Sequence, residues 1–323
     1  MTHFDVFNGD ADGLCALVQL RLEMPRASTL VTGVKRDIEL LRRVSAQAGD
    51  SVTVLDVSLA ANREALEALL ARGASVEYFD HHYAGTLPSH PKLSAHIDVA
   101  PDVCTGLIVD RYLNGRRRPW AIVAAFGDEL RSPARKLARL LGLTAAQTAK
   151  LRLLGEALGY NAYADRESDL VAPPAALFRS MLACGDPFEF VLREPKVATI
   201  LAIAKDDLAQ AARIEPAASS RVATIYTLPD AAWSRRVRGR FAYVLARRDR
   251  ERANAVLVPD DAGGYTVSLR APPARPIGAD LVCRQFATGG GRSAAAGINH
   301  LPAGEVPAFV AAVESQFARG AKV

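Results

Sequence analysis

Hydrophobic and polar positions follow two periods through the first eighty residues. Phe4-Asp5-Val6-Phe7-Asn8, Leu30 to Val34, Val52-Thr53-Val54-Leu55 and Val76-Glu77-Tyr78-Phe79 are short runs rich in β-branched and aromatic residues. They read as strands, and the third is almost continuously apolar, as a strand covered on both faces must be. Between them lie segments with helical spacing: Leu14 to Met24, Ile38 to Ala48 closed by Gly49, and a stretch capped by Asn62 that runs to Arg72 and stops at Gly73. Strand and helix in strict alternation predict an α/β fold with a doubly wound parallel sheet.

From Cys104 to Phe190 the pattern is mostly helical, broken near Pro133, Leu143-Thr144 and Pro173-Pro174. A long helix is predicted over Pro195 to Ile214. New strands follow at Val222–Leu228, Phe241–Ala246, Ala253–Val258 and Tyr265–Leu269, then a helix over Ala279–Ala287 that leads into three consecutive glycines. The predicted organisation is an N-terminal doubly wound domain over residues 1–190, a helical connector over 191–215, and a smaller α/β domain over 216–323.

A chain of 323 residues, half of them hydrophobic, suits two cores better than one. No early segment has the basic flank and small-residue exit of a signal peptide, and no run reaches the ~20 apolar residues of a membrane span. The expected location is therefore the cytoplasm, with no membrane partner. The four cysteines are too far apart for a zinc knuckle or a redox dithiol and read as small buried hydrophobes. A net charge of +5 is modest, but eight arginines fall between Arg235 and Arg252. That run is either a solvated surface or a footprint for phosphates.

The acidic residues are not scattered. Asp10 and Asp12 close the first strand in Asn8-Gly9-Asp10-Ala11-Asp12-Gly13, Asp56 closes Val52–Leu55, and Asp80-His81-His82 closes Val76–Phe79. In an open parallel sheet the carboxyl ends of neighbouring strands border one crevice. Carboxylates gathered there repel one another unless a cation is present. Hard oxygens with imidazole and no thiolate suit manganese or magnesium, with cobalt, zinc or iron also compatible. Two such ions ~3.5–4 Å apart would serve phosphoester hydrolysis. Cys104-Thr105-Gly106 starts a helix whose N-terminus either faces an anion in the crevice or is an ordinary helix start.

Together these residues resemble the DHH phosphoesterase superfamily. Asp10-Ala11-Asp12 resembles its first motif, Asp56 the second, Asp80-His81-His82 the third, and Asp128 in Phe126-Gly127-Asp128-Glu129 the fourth. Asp56 and His81 are 25 positions apart, and His81 and Asp128 are 47 apart. Val267-Ser268-Leu269-Arg270 and Gly289-Gly290-Gly291-Arg292-Ser293-Ala294-Ala295-Ala296-Gly297 resemble the DHH-associated domain of RecJ-like and nano-RNase-like members. The resemblance spans nearly the whole chain and implies two manganese ions. Asp56 would bridge them, Asp12, His81 and Asp128 would complete one, and Asp10 with Asn8 would bind the other. It also implies that His82 faces the scissile phosphate, that Asp80 orients an imidazole, and that Arg270 with Gly289, Gly290, Gly291 and Arg292 grips a phosphate or nucleotide end.

Two departures stand out. Many members place a histidine four residues before the first motif aspartate, where this chain has Val6. The exonuclease branch has an aspartate two residues before it, where this chain has Asn8, a weaker neutral ligand. The glycine signature usually ends in histidine, where this chain has Arg292, which is always charged and forks onto phosphate. The implied function is hydrolysis of short oligonucleotides or small nucleotides in a cleft between the domains. A small-molecule phosphatase, or a non-catalytic nucleotide or nucleic-acid binder with a degenerate first metal site, is the alternative.

Overall fold

The first sheet carries five strands in the order β2-β1-β3-β4-β5, all parallel: β1 His3–Asn8, β2 Thr29–Gly33, β3 Ser51–Leu55, β4 Ser75–Asp80 and β5 Leu93–Ile97. The computed structural model describes residues 1–318. By contacts the chain divides into two units, Met1–Ala202 and the residues from Ile203 onward.

The first unit holds this sheet with α1 (Ala11–Glu23), α2 (Arg63–Ala71), α3 (Thr105–Tyr112), α4 (Arg118–Gly127), α5 (Arg131–Leu140), α6 (Ala145–Ala162), α7 (Pro174–Cys184) and α8 (Pro187–Arg193). Alternation along the strands sorts side chains to two faces. Phe4, Val6, Val52, Val54, Val76 and Tyr78 pack with Leu66, Leu69 and Leu70 of α2 on one face. On the other, Phe7 meets Phe178 of α7 and Phe79 meets Tyr112 of α3. Helix α1 is buried from Ala11 to Arg21, enclosed by α3, α4, α6 and α7. The strand order reverses between β1 and β3, the switch point where open α/β sheets leave a crevice for ligands.

The division between units falls within α9 (Pro195–Ala211). The second unit has a six-stranded mixed sheet in the order β10-β11-β9-β8-β7-β6. Its strands are β6 Ala218–Ser219, β7 Ala223–Thr227, β8 Ala253–Pro259, β9 Gly264–Arg270, β10 Gly289–Arg292 and β11 Ala295–Pro302, with helices α10 Ala232–Arg248, α11 Ala279–Cys283 and α12 Val306–Ala318.

Several elements differ from the sequence expectation. Ile38–Ala48 forms only a single tight turn at Leu40–Arg43, because Leu40, Leu41, Val44 and Ala46 each plug into the core of the first unit. Asn62 does not cap α2 with its side chain. Its amide is spent on that turn, donating to Ile38 O and Ser58 O and accepting from Leu41 N. Phe241–Ala246 is not a strand but part of α10, where Val237, Phe241 and Leu245, four apart, are buried on one face. Helix α11 ends at Cys283, four residues before the expected stop. β5 had no counterpart in the sequence reading. It is a half-buried edge strand whose His96 stacks on Phe79 at 4.4 Å between ring centres.

The three glycines are not a loop. They form the edge strand β10, paired antiparallel with β11. A Cβ at Gly289 would lie 1.7 Å from Cys283 O, and one at Gly291, with φ +137°, would lie 2.5 Å from Ala296 Cα. Glycine is required at both positions for this close packing. At Gly290 the space is open.

Candidate metal centre

The turn from β1 into α1 is the first part of the site. A Cβ at Gly9 would strike Gly33 O at 2.1 Å, and one at Gly13 would strike Asn8 O at 2.2 Å, so the chain turns tightly here. Asp10 is the N-cap of α1: its Oδ1 accepts from Asp12 N at 2.9 Å and Gly13 N at 3.2 Å. The Asn8 side chain is engaged locally. Its Oδ1 accepts from Asp10 N at 3.2 Å and its Nδ2 donates to Lys35 O at 3.4 Å.

Asp12 points from the first turn of α1 to the start of α3. Its Oδ2 and Oδ1 accept from Thr105 N and Gly106 N, both at 2.7 Å. The anion received by the α3 N-terminus is therefore Asp12 itself. Thr105 Oγ1 also donates to Asp56 Oδ1 at 3.3 Å.

Asp56 follows β3 with φ +58°, a left-handed conformation that aspartate tolerates better than most residues. Its amide donates to Phe79 O at 3.0 Å, which ties the turn to β4. At the end of β4, Asp80 is fully buried and its Oδ1 lies 2.7 Å from His82 Nδ1. His81 Nδ1 lies 3.1 Å from Val103 O. A carbonyl only accepts, so Nδ1 carries the proton and Nε2 presents a lone pair. That Nε2 is 3.4 Å from Asp56 Oδ1 and 3.9 Å from Asp128 Oδ2. Asp128 caps the C-terminal end of α4.

Asp56, His81 and His82 each offer a ligand atom, and these atoms all lie within 4.8 Å of one another. With Asp128 beside them, the set suits a divalent ion that accepts oxygen and imidazole. The electrostatics agree. Burial, aided by the charges of Asp10 and Asp12, pushes the Asp56 carboxyl well above the ordinary carboxylate range. Burial likewise pushes Asp128 up to about 6. The cluster is short of positive charge. For His82, burial works downward, but the hydrogen bond and charge of Asp80 prevail and raise it above the usual imidazole value.

One functional group escaped the sequence reading. Lys35, two residues past β2, puts its Nζ 2.5 Å from Asp10 Oδ2 and 3.8 Å from Asp128 Oδ1. Burial works to raise the Asp10 carboxyl, yet the Lys35 ammonium outweighs it and holds the group at about 2. The signal was available: β2 lies beside β1, so the rule that placed the aspartates at strand ends applied equally to Lys35. Thr105 was noticed only as part of a helix start.

In the second unit the register sets Arg270, Ala295 and Arg292 side by side on the neighbouring strands β9, β11 and β10. Arg270 Nε is buried with no hydrogen-bond partner, and Arg292 is exposed. Two arginines flanking an alanine, Arg292 on the edge strand and Arg270 two strands in, form a surface that can receive an anion. The arginine run lies on α10 and the turn after it, and part of it is internally paired: Arg236 with Asp207, Arg252 with Asp249. All four cysteines are free, and Cys15 and Cys104 are buried with thiols pushed well above the ordinary range, chiefly by that burial.

No family model matches the chain, and no curated protein matches it by sequence. Solved structures do match. Exonuclease RecJ bound to manganese aligns with a TM-score of 0.63 at 18% identity, over 98% of this chain and 90% of that one. RecJ in complex with Mn2+ from Thermus thermophilus gives 0.67 at 19%, over 98% and 52%. The pGpG-specific phosphodiesterase PggH from Vibrio cholerae gives 0.58 at 13%, over 99% of both chains. The chain has the α/β fold of these proteins. Among the described residues no helix is long and apolar enough to cross a membrane.

Proposed function

We propose that this chain is a divalent-metal-dependent phosphoesterase of the DHH type that hydrolyses short oligonucleotides or small nucleotides. One observation carries the reading: Asp56, His81 and His82 converge within 4.8 Å at the carboxyl edge of a parallel sheet, on the fold of two manganese-bound RecJ structures. Asp56, His81 and Asp128, with Asp12 behind them, would hold the ion, for which manganese is the best candidate. When bound, such an ion supplies Lewis acidity, offsetting phosphate charge and favouring deprotonation of water.

The chain's own groups do the rest. Val103 O fixes the His81 tautomer so that Nε2 faces the carboxylates. Asp12, clamped by the α3 amides, keeps its charge fixed beside Asp56. Asp80 holds His82 at Nδ1 and favours its protonated form, which leaves Nε2–H to donate to a phosphate oxygen as charge builds there. Arg270, Arg292 and the open face at Gly290 would grip a terminal phosphate. That grip favours short or end-bearing substrates.

A manganese-supplemented activity screen tests the reading, using dinucleotides, short RNA and DNA, cyclic dinucleotides, phosphoadenosine phosphate and a circular single strand. We expect turnover of short linear substrates, loss of turnover on exhaustive chelation, and near-complete loss in Asp56→Ala. Full turnover after chelation, verified by metal analysis, would sink the metal mechanism. Efficient cleavage of the circle would sink end recognition.

A further inference from the structure

We infer that Lys35 is a built-in cation standing where the fold's two-ion arrangement would place its second metal, so that this centre holds a single divalent ion and one fixed ammonium. The inference rests on the metal reading above and changes its stoichiometry.

The donor set around Asp10 does not fit a metal. Asp10 Oδ1 already accepts two backbone N–H groups, and Oδ2 faces Lys35 Nζ at 2.5 Å. Asn8 is engaged at both ends, with its oxygen on Asp10 N and its nitrogen on Lys35 O, and offers only a neutral carbonyl. Val6 is apolar and fully buried. No imidazole or thiolate among the described residues pairs with Asp10. An ion there would find Asp10 Oδ2 with the carboxyls of Asp56 and Asp128 nearby, but a like-charged ammonium already stands among them. Around Asp56 the balance is reversed: the His81 Nε2 lone pair lies 3.4 Å from it, and Asp128 adds a second carboxylate 3.9 Å from the same nitrogen.

Lys35 is held in place rather than draped over the surface. Its backbone N–H donates to Ala162 O at 3.1 Å, its carbonyl receives Asn8, and its Nζ lies 5.4 Å from the centre of the Tyr163 ring. Its Nζ spans Asp10 and Asp128, which the two-ion pattern assigns to different ions. An ammonium supplies one positive charge and three N–H donors. It neutralises Asp10 and can hydrogen-bond a phosphate oxygen, but it supplies no exchangeable coordination position.

The test is manganese stoichiometry on the full-length protein, stripped by chelation and dialysed. Calorimetric titration is combined with elemental analysis and with electron paramagnetic resonance of the bound ion. Wild type should bind one manganese per chain and give an uncoupled six-line spectrum. Lys35→Arg should keep that stoichiometry. Lys35→Ala combined with Asn8→Asp, which removes the ammonium and adds a carboxylate, should bind a second manganese and show spin coupling. Circular dichroism checks that each variant is folded, and the wild-type count decides the matter even if the double variant is not. Two tightly bound, coupled manganese ions in wild type would overturn the role of Lys35 and leave the metal reading standing. No bound manganese in wild type would overturn both.

Discussion

The contact between Asp12 and the start of α3 can be tested with one methyl group. In Gly106→Ala the new Cβ would lie 2.4 Å from Ala124 Cβ and 3.1 Å from Asp12 Oδ1. Relief requires α3 to withdraw from α4 by about 1 Å, since carbons settle at roughly 3.5–4 Å. The same movement stretches the 2.7 Å bonds from Thr105 N and Gly106 N to Asp12 beyond hydrogen-bonding range. A hydrogen bond to a charged group contributes about 1.5–3 kcal/mol, and overpacking a core costs about 1–3 kcal/mol. With partial relaxation, a loss of about 3–5 kcal/mol is expected, survivable for a domain of ordinary stability. At a urea m-value of about 2 kcal/mol/M the midpoint should fall by roughly 1.5–2.5 M. Manganese affinity should fall at least tenfold, because Asp12 is no longer fixed beside Asp56. The control is Gly239→Ala in α10, where a Cβ meets nothing within 4 Å. There helix propensity predicts stability unchanged or raised by up to about 1 kcal/mol. A Gly106→Ala midpoint within 0.5 M of wild type, by the same measure of about 1 kcal/mol, with unaltered manganese affinity, would refute the account of this contact.

Two further outcomes follow from the site. Asp128, at about 6, and Asp56, well above the carboxylate range, both retain protons in acid that a cation must displace. Manganese affinity should therefore rise from pH 5 to pH 7.5 with proton release, measurable by calorimetry in buffers of different ionisation enthalpy, and a flat profile would refute it. The ion-free protein has the opposite sign. A carboxyl raised in the folded state favours folding below its unfolded value, and that contribution is lost as pH climbs from near 4 through about 6. Asp10, held at about 2, contributes stability above its unfolded value that is lost only as pH falls toward about 2. Arg292→Ala should raise KM about ten- to a hundredfold with a smaller effect on kcat, the cost of one charge-assisted contact. Unchanged kinetics on the best substrate would show that Arg292 faces only solvent.

The sequence carried the first four parallel strands because each is short, rich in β-branched or aromatic residues and set off by turn residues. It misled where one residue serves two demands. Phe241, Tyr243 and Val244 have strand-forming side chains, but Val237, Phe241 and Leu245 are spaced for a helix, and burial of that face decided the outcome. The Ile38–Ala48 segment is apolar enough for a helix, but its side chains are needed singly in the core and Asn62 secures the turn instead. β5 was invisible because half-buried edge strands lack a continuous apolar run.

The site shows the same limit at finer scale. Residue types at strand ends brought Asp10, Asp12, Asp56, His81 and His82 into one region, since strand order and the carboxyl-end rule suffice for that, whereas Asp128, which closes helix α4, was reached only through the family resemblance. They could not say which oxygen is already spent. Asp10 is both a helix cap and the counterion of Lys35, and both oxygens of Asp12 are taken by α3 amides. Thus three aspartates that look alike in the sequence have different capacities. Asp10 is neutralised by Lys35, Asp12 is held by two backbone amides, and the Asp56 carboxyl accepts only the 3.3 Å bond from Thr105 Oγ1. That carboxyl is driven upward by burial and by the other two, which is the condition under which an external divalent ion is bound most strongly. A negative cluster therefore does not by itself state how many cations it needs. The count depends on how many of its charges the chain already answers, and here the residue that answers one of them lies two positions beyond a strand with no acidic motif.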